Sequence, residues 1–391
     1  MITIRNNMKF NLHHILWIAC CGLLSVQCSE KSDPADPDTE NGNYTSYWYY
    51  CYETGNLLTN ENMGLEAGQF TPYTVAGRGD TLFVANIAEG SSLILFDLKN
   101  NRPFRTLSSW IVNGAEQKFI SPIEAIVVTD TRLYVAERQS YIHVFDLPDL
   151  NYIVSIGNGR WSGPVFQAQA LAVKNGLIYA RDKDGGVSVY KESDAVPEKA
   201  GKINRYKKMG GGSANNAFAS HYMEFDADGT LLLTDYEGKT LRVLDVSRIN
   251  DELKNGTVID QSDRAWTLTF KPKTFAPTAE RMYATGDNDG INIYDKAAKQ
   301  WINPIKSIKG FAFSQAARIY GQDEEKFWIS DLKKQAVVRM DVYQNEIREY
   351  SRISDRIIRI DAAPASKGME TAPFFVDIRT HEIVDPETIG Q

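Results

Sequence analysis

One short pattern recurs six times along the chain, and it limits what the chain can become. Its copies are Leu82-Phe83-Val84-Ala85-Asn86, Leu133-Tyr134-Val135-Ala136-Glu137, Ile178-Tyr179-Ala180-Arg181-Asp182, Leu231-Leu232-Leu233-Thr234-Asp235, Met282-Tyr283-Ala284-Thr285-Gly286 and Phe327-Trp328-Ile329-Ser330-Asp331. Each is a run of strand-forming residues. A second such run begins about five to seven residues after each: Leu93–Leu98, Ile142–Leu147, Val187–Glu192, Leu241–Val246, Ile291–Lys296 and Val337–Val342. Five of these carry Asp at the same place (Asp97, Asp146, Asp245, Asp295, Asp341), and Lys191 takes that place in the third. The steps between these positions are 49, 45, 54, 50 and 46 residues.

Four strands of about five to six residues, joined by short turns, need roughly 40–50 residues. The repeat therefore predicts an all-β fold, a six-bladed β-propeller of four-stranded antiparallel blades. The blades are expected at roughly 71–110, 121–158, 166–209, 221–262, 264–308 and 311–353. A solenoid is the rival reading, but its units are usually shorter, and a ring of blades also hides its sheet edges. Ile142-His143-Val144-Phe145-Asp146 alternates with period two, which predicts one buried and one wetter face. No long stretch has helical periodicity. Val246–Asn255 is expected as a short inserted helix, Ser46–Tyr52 as a strand that closes the ring, and Phe374–Ile378 as an added strand or hairpin.

The third copy carries a family likeness. Gly157-Asn158-Gly159, Gly163, Phe166, Ala170–Val173, Gly176-Leu177-Ile178-Tyr179 and Val187-Ser188-Val189-Tyr190 resemble an NHL repeat. Gly64, Gly68, Phe70, Pro72 and Leu82–Asn86 echo it in the first copy, and Phe119, Pro122 and Leu133–Glu137 in the second. Gln167 and Ala168 replace the family's proline in the third copy, and the fourth and fifth match poorly. The resemblance spans residues 64–353 and implies the propeller fold, on which many unrelated activities sit.

The N-terminus predicts an address. Arg5, Lys9, His13 and His14 precede the apolar run Ile15–Val26, which is too short to span a bilayer and fits a signal peptide. Leu24-Ser25-Val26-Gln27-Cys28 resembles a lipobox, with Gln27 where a small residue is usual. Cys20 and Cys21 are rivals that would leave a very short apolar segment. Residues 1–27 are thus expected as a lipoprotein signal peptide, Cys28 as the lipidated residue and 28–45 as a disordered acidic tether, with 46–391 as the propeller. The acidic stretch resembles that of Bacteroides-type surface lipoproteins. This implies an exported protein held at the outer membrane by its lipid, on the surface or the periplasmic side. Beyond the lipidated Cys28 the mature chain keeps only Cys51, so no internal disulfide forms and the core must hold the fold. The net charge of −7 and the absence of a long basic run exclude a nucleic-acid partner. A monomer is expected.

Propeller ligands meet the face where inner strands begin. Reading back from the repeat puts Tyr73, Glu124, Gln169, Tyr222 and Arg318 on that rim, with Trp266 or Thr267 in the fifth blade. Such a ring suits a polar ligand or a sugar; in the other reading, Glu124 and Arg318 pair inside the channel. Loops onto the same face carry Arg138, Arg160, Trp161, Asp182, Asp235, Arg264, Trp266, Asp287 and Asp331. Trp161 either stacks on a carbohydrate or protein partner or covers a neighbouring blade.

No cofactor is expected, and calcium is the one left open. Asp182–Gly185, Asp226–Gly229 and Asp287–Gly290 look like calcium loops but lack the closing Glu, and Asp-Gly is also tight-turn chemistry. Arg78-Gly79-Asp80 likewise reads as a turn. Gly210–Asn216 has no following helix pattern to cradle phosphate. His143, His221 and His381 form no close pair for zinc, and no Gly-x-Ser-x-Gly elbow occurs. The leading expectation is a non-enzymatic binding or scaffold module at the cell envelope. The alternative is a calcium-assisted lactonase or lyase using Glu124, as the likeness to gluconolactonase-type propellers implies.

Overall fold

The computed structural model describes residues 47–88, 90–138, 141–157, 170–181, 187–193, 199–203, 222–236, 238–244, 246, 258–259, 265–288, 290–347, 350–360, 373–386 and 389. The expectations for the signal peptide, Cys28, the tether, Trp161, Gln169, Arg264, the Gly210–Asn216 loop and the insertion after Val246 lie outside those residues. The chain forms two compact units, the larger comprising Tyr50–Asn345 and Arg379–Ile383.

The larger unit is built of four-stranded sheets in chain order. The first holds Pro72–Arg78, Thr81–Asn86, Ser92–Asp97 and Arg102–Leu107, and the second Ile123–Val128, Arg132–Glu137, Ile142–Asp146 and Tyr152–Ile156. The third holds Leu171–Lys174, Leu177–Arg181, Val187–Lys191 and Lys199–Ile203, with Val258–Ile259 added in parallel at its edge. The fourth holds Met223–Phe225, Leu231–Asp235, Thr240–Leu244 and Ala265–Thr267, and the fifth Pro272–Pro277, Arg281–Gly286, Ile291–Asp295 and Gln300–Ile305. The sixth takes Ala316–Gly321, Lys326–Asp331 and Ala336–Ile347, and its outermost strand is Tyr47–Leu58 from the other end of the sequence. Successive inner strands lie side by side, and the sixth returns beside the first, so the sheets close a ring.

The repeated runs are second strands, buried on both faces between neighbouring sheets. That is why they read as continuous apolar stretches instead of alternating ones. Phe83, Leu95, Ile123, Val135 and Phe145 fill the gap between the first two sheets. Tyr134, Val144, Ile178 and Tyr190 fill the next, and Tyr179, Val189, Met223 and Leu233 the one after. Leu232, Leu241, Phe275 and Met282 pack the fourth sheet on the fifth, and Tyr283 meets Phe327 at 4.3 Å on the sixth. Val75, Val84, Trp328 and Val337 join the sixth to the first. Each apolar interface contributes about 25 cal/mol per Å² buried, so no disulfide is needed for a core of this extent.

In the first, second and sixth copies the polar residue ending the repeat has a mechanical task. Thr71 N donates to Asn86 Oδ1 at 2.8 Å, Ser121 N to Glu137 Oε1 at 2.8 Å, and Ser314 N to Asp331 Oδ2 at 2.6 Å. These side chains hold the loop that enters the inner strand of their own sheet. Where the fifth copy has Gly286, the next residue substitutes: Lys271 N donates to Asp287 Oδ1 at 2.7 Å. The Asp column after the third strand caps turns, with Lys99 N and Asn100 N on Asp97, Asn151 N on Asp146 and Ala298 N on Asp295.

Two expectations are corrected, and the Asp226 segment takes its turn reading. Ala265–Thr267 is the outer strand of the fourth sheet, so Trp266 leaves the rim and stacks on Tyr294 with ring centroids 4.9 Å apart. His143 does not face water. The hairpin Ser109–Val112 with Ala115–Lys118 brings Trp110 to 4.6 Å from its ring. His143 Nε2 then bonds Glu137 at 2.9 Å and Nδ1 bonds Ser155 Oγ at 2.8 Å, a buried brace within the second sheet. Asp226-Ala227-Asp228-Gly229 is a tight turn: Thr230 N donates to Asp228 at 2.8 Å, and Asp226 pairs with Lys296 at 2.6 Å.

Among the described residues the smaller unit comprises 47–49, 346–347, 350–360, 373–378, 384–386 and 389. Within it Ile357–Ile360 pairs antiparallel with Ser351–Arg352 and with Phe374–Asp377, the strand expected near the C-terminus. Tyr47 meets Tyr350 edge-on at 5.0 Å, and Tyr49 packs on Phe374.

Candidate functional site

The inner strands of the first, second, fifth and sixth sheets share an irregularity. In each, the register against the second strand slips by one residue, between Pro72 and Val75, Ile123 and Ala125, Pro272 and Thr274, and Ala316 and Arg318. A bulge of this kind re-aims side chains at a strand end. Glu124, Lys273 and Ala317 occupy the extra position, and Tyr73 lies in the equivalent stretch of the first sheet. Arg318 stands one residue further on than Glu124, a difference that repeat spacing alone does not reveal.

These groups converge. Arg318 Nη2 donates to Tyr73 Oη and to Glu124 Oε2, each at 3.1 Å, and its guanidinium carbon lies 4.8 Å from the Tyr73 ring centroid. Its Nη1 reaches the Lys273 carbonyl at 3.5 Å. Arg138, from the loop after the second strand of its sheet, donates through Nε to the other Glu124 oxygen. Glu124 and Arg318 are only 2% and 3% exposed, while the Arg138 side chain is 42% exposed. Burial opposes the charge on Arg318, but Tyr73 and Glu124 hold it protonated above its ordinary range. The pairing of Glu124 with Arg318, the second of the two readings for these residues, is what forms, and it is built into a wider network.

Tyr222 turns along its own strand. Its ring meets Phe275 edge-on at 5.2 Å and its hydroxyl donates to Glu224 at 3.1 Å. Glu224 also accepts from Phe225 N, and burial raises its carboxyl above the usual glutamate value.

Beside Arg318 lies a cavity of about 250 Å³ lined by Tyr73, Tyr236, Lys273, Gln315, Ala317, Arg318 and Leu332. A larger cleft of about 610 Å³ opens at the other end of the same strands, between the turns around Ala279 and Glu324. Its carboxylates serve locally: Glu280 accepts from Tyr50 Oη at 2.8 Å and Glu324 from Ala279 N at 3.0 Å. Among the described residues no group of three or more His, Cys, Asp or Glu side chains converges on a point that could hold a metal.

Four-stranded antiparallel sheets closed in a ring, with polar side chains meeting at one end of the inner strands, define a β-propeller. No protein-family model and no curated protein matches this sequence. Among solved structures the chain is similar to a protein of unknown function from Bacteroides thetaiotaomicron, with 12% identity, a TM-score of 0.52 and 77% of each chain covered. It is also similar to the WD40 repeats of RRP9, with 9% identity, a TM-score of 0.52, and 75% of this chain and 99% of that one covered. At these identities the likeness is one of fold.

Proposed function

We propose that this chain is a cell-envelope lipoprotein whose six sheets are the blades of one NHL-like propeller, and that it works as a binding or scaffold module. The binding face is the end where Tyr73, Glu124, Arg138, Lys273 and Arg318 gather. One observation carries this reading: both oxygens of Glu124 are taken by guanidinium groups. A carboxylate so held is a rigid support for recognition, not a free base. The same pairing speaks against Glu124 as a calcium ligand in a lactonase. The WD40 repeats of RRP9 share this architecture. Acylated Cys28 and the acidic tether would hold the module at the outer membrane.

A thermal-shift screen of glycans and metal ions tests the reading on the form lacking residues 1–28. A ligand whose effect is lost in Arg138→Ala, and kept in Glu325→Ala at the other end, supports it. If no glycan or metal raises the melting temperature, the small-ligand part falls and a protein partner takes its place. Labelled fatty acid incorporated by the wild type and not by Cys28→Ala would support the anchor; equal labelling of both would sink it.

A further inference from the structure

We propose that the large cleft at the other end of the ring takes up a short, extended peptide with basic side chains. The site is separate from the Arg318 face and does not depend on it. Its shape comes from the sixth sheet. The third strand there, Ala336–Ile347, has 12 residues, where the other third strands have five or six. Val342, Tyr343 and Gln344 thus overrun the turns at 278–280 and 322–325 and wall a space of about 610 Å³. Three of the lining side chains, Glu280, Glu324 and Glu325, are exposed carboxylates. The hydrogen bonds they accept come from neutral donors: Tyr50 Oη meets Glu280 at 2.8 Å, and Ala279 N meets Glu324 at 3.0 Å. The Glu325 side chain has neither hydrogen bond nor ion pair among the described residues. The cations close by are matched by other acids. Arg281, the one cation among the described lining residues, rests on Glu382 and Asp295. Lys296, at the Thr278 carbonyl, pairs with Asp226 at 2.6 Å, and Lys326, next to Glu325, pairs with Asp323 at 3.0 Å. The cleft therefore carries negative charge that these neighbours do not cancel.

Two further features select a peptide over a bare cation. The second strand of the sixth sheet starts at Lys326, opposite Asp341, and among the described residues no strand pairs with Val342–Ile347 on that side. Val342 N makes the last bond of that ladder, to the Glu325 carbonyl at 2.7 Å. Backbone groups alternate between the two sides of a strand, so the N–H and C=O of Gln344 point the same way as those of Val342. An added strand would find them there. Arg281 holds the second feature. Its Nη atoms are engaged, but its Nε–H is buried without an acceptor. A carbonyl oxygen can meet such a donor, and an ammonium group cannot. Among the described residues the acids do not converge as the ligands of one metal ion would. A peptide spreads its charges along a chain and brings carbonyls with it. Strand addition at Gln344 gives the backbone bonds, and Lys or Arg side chains reach the carboxylates with their stems along Tyr343.

The test is calorimetric titration of the full chain, purified in a non-ionic detergent, with a trilysine peptide capped at both ends. The comparison probes are a capped triglutamate peptide, spermidine, and the trilysine peptide methylated on its backbone nitrogens. The trilysine peptide should bind, more weakly as salt is raised, and the triglutamate peptide should not. Spermidine and the methylated peptide should bind roughly tenfold more weakly, because each lacks part of the backbone pairing. Glu325→Gln should weaken trilysine binding about fivefold. It should leave the unliganded melting temperature unchanged, since that side chain holds nothing in the fold. Arg138→Ala should leave trilysine binding intact. Spermidine, the methylated peptide or triglutamate matching trilysine would overturn the inference. So would wild-type affinity in Glu325→Gln, or loss of binding in Arg138→Ala, which would move the peptide to the Arg318 face. No binding of trilysine would overturn it too, and would leave the reading of the Arg318 face standing.

Discussion

Arg318 and Arg281 are both sealed from water, and both spend their guanidinium groups on a carboxylate and a tyrosine hydroxyl. Their neighbourhoods differ. Arg281, on the second strand of the fifth sheet, donates through Nη1 to Tyr52 Oη at 2.9 Å and to Glu382, and through Nη2 to the Thr380 carbonyl at 2.6 Å. Its guanidinium carbon lies 3.3 Å from the centroid of the Tyr50 ring, and Asp295 stands 3.5 Å from Nη2. Its partners thus come from the two ends of the propeller unit's sequence, and they clasp those ends to the fifth sheet. The Arg318 network gathers inner strands of four sheets, and its carboxylate has a second cation in Arg138. The first arrangement closes a structure, and the second faces a space. A buried arginine reports a function only when something beside it is left open.

That contrast makes ranked predictions. Arg281→Met strands Glu382 without its main cation and should cost about 3–5 kcal/mol in urea unfolding. Arg318→Met leaves Glu124 paired with Arg138, so the loss should be about 1–3 kcal/mol. Equal losses in the two variants would collapse the distinction between clasp and binding network. A pH effect should come next in size. The Glu224 carboxyl is raised from its ordinary 4.5 by burial, so folding favours its protonated form. Its contribution is complete below that ordinary value and is lost as pH rises through the raised one. Melting temperature against pH should therefore fall more steeply across that window in the wild type than in Glu224→Gln; parallel curves would refute it.

The ring could be read from residues because each second strand is buried on both sides. Phe83, Tyr134 and Trp328 sit in runs with almost no polar interruption, and the capping Asp, Asn and Glu at their ends mark the spacing. The site was less legible. Tyr73, Glu124, Arg138 and Arg318 were found because they stand near strand ends, which spacing can locate. The one-residue offset of Arg318 escaped, since the sixth sheet carries the same bulge as the second but joins its first two strands by a turn one residue longer. Trp266 was misplaced because the fourth sheet takes its outer strand only after a long excursion, so the blade boundary moved by several residues. Lys273, Tyr236 and Gln315 come from three different sheets, and no local pattern joins them. Glu224 had a signal: it lies two residues from Tyr222 on one strand and so shares its face.

The outermost strand of the sixth sheet has a consequence in time. Cys51 meets Asn345 and Tyr52 meets Glu382, contacts 294 and 330 residues apart in sequence. Contacts of such high order are slow to form, and these need both ends of the chain to be present. During synthesis the early blades can collapse, but their ring stays unlatched until residues near 380 emerge. A chain cut short before Thr380 would keep every repeat and still leave the Arg281 guanidinium short of two of its acceptors. The segment around Thr380 and Glu382 thus acts as a late latch, and copies lacking it should be the ones that proteases find first.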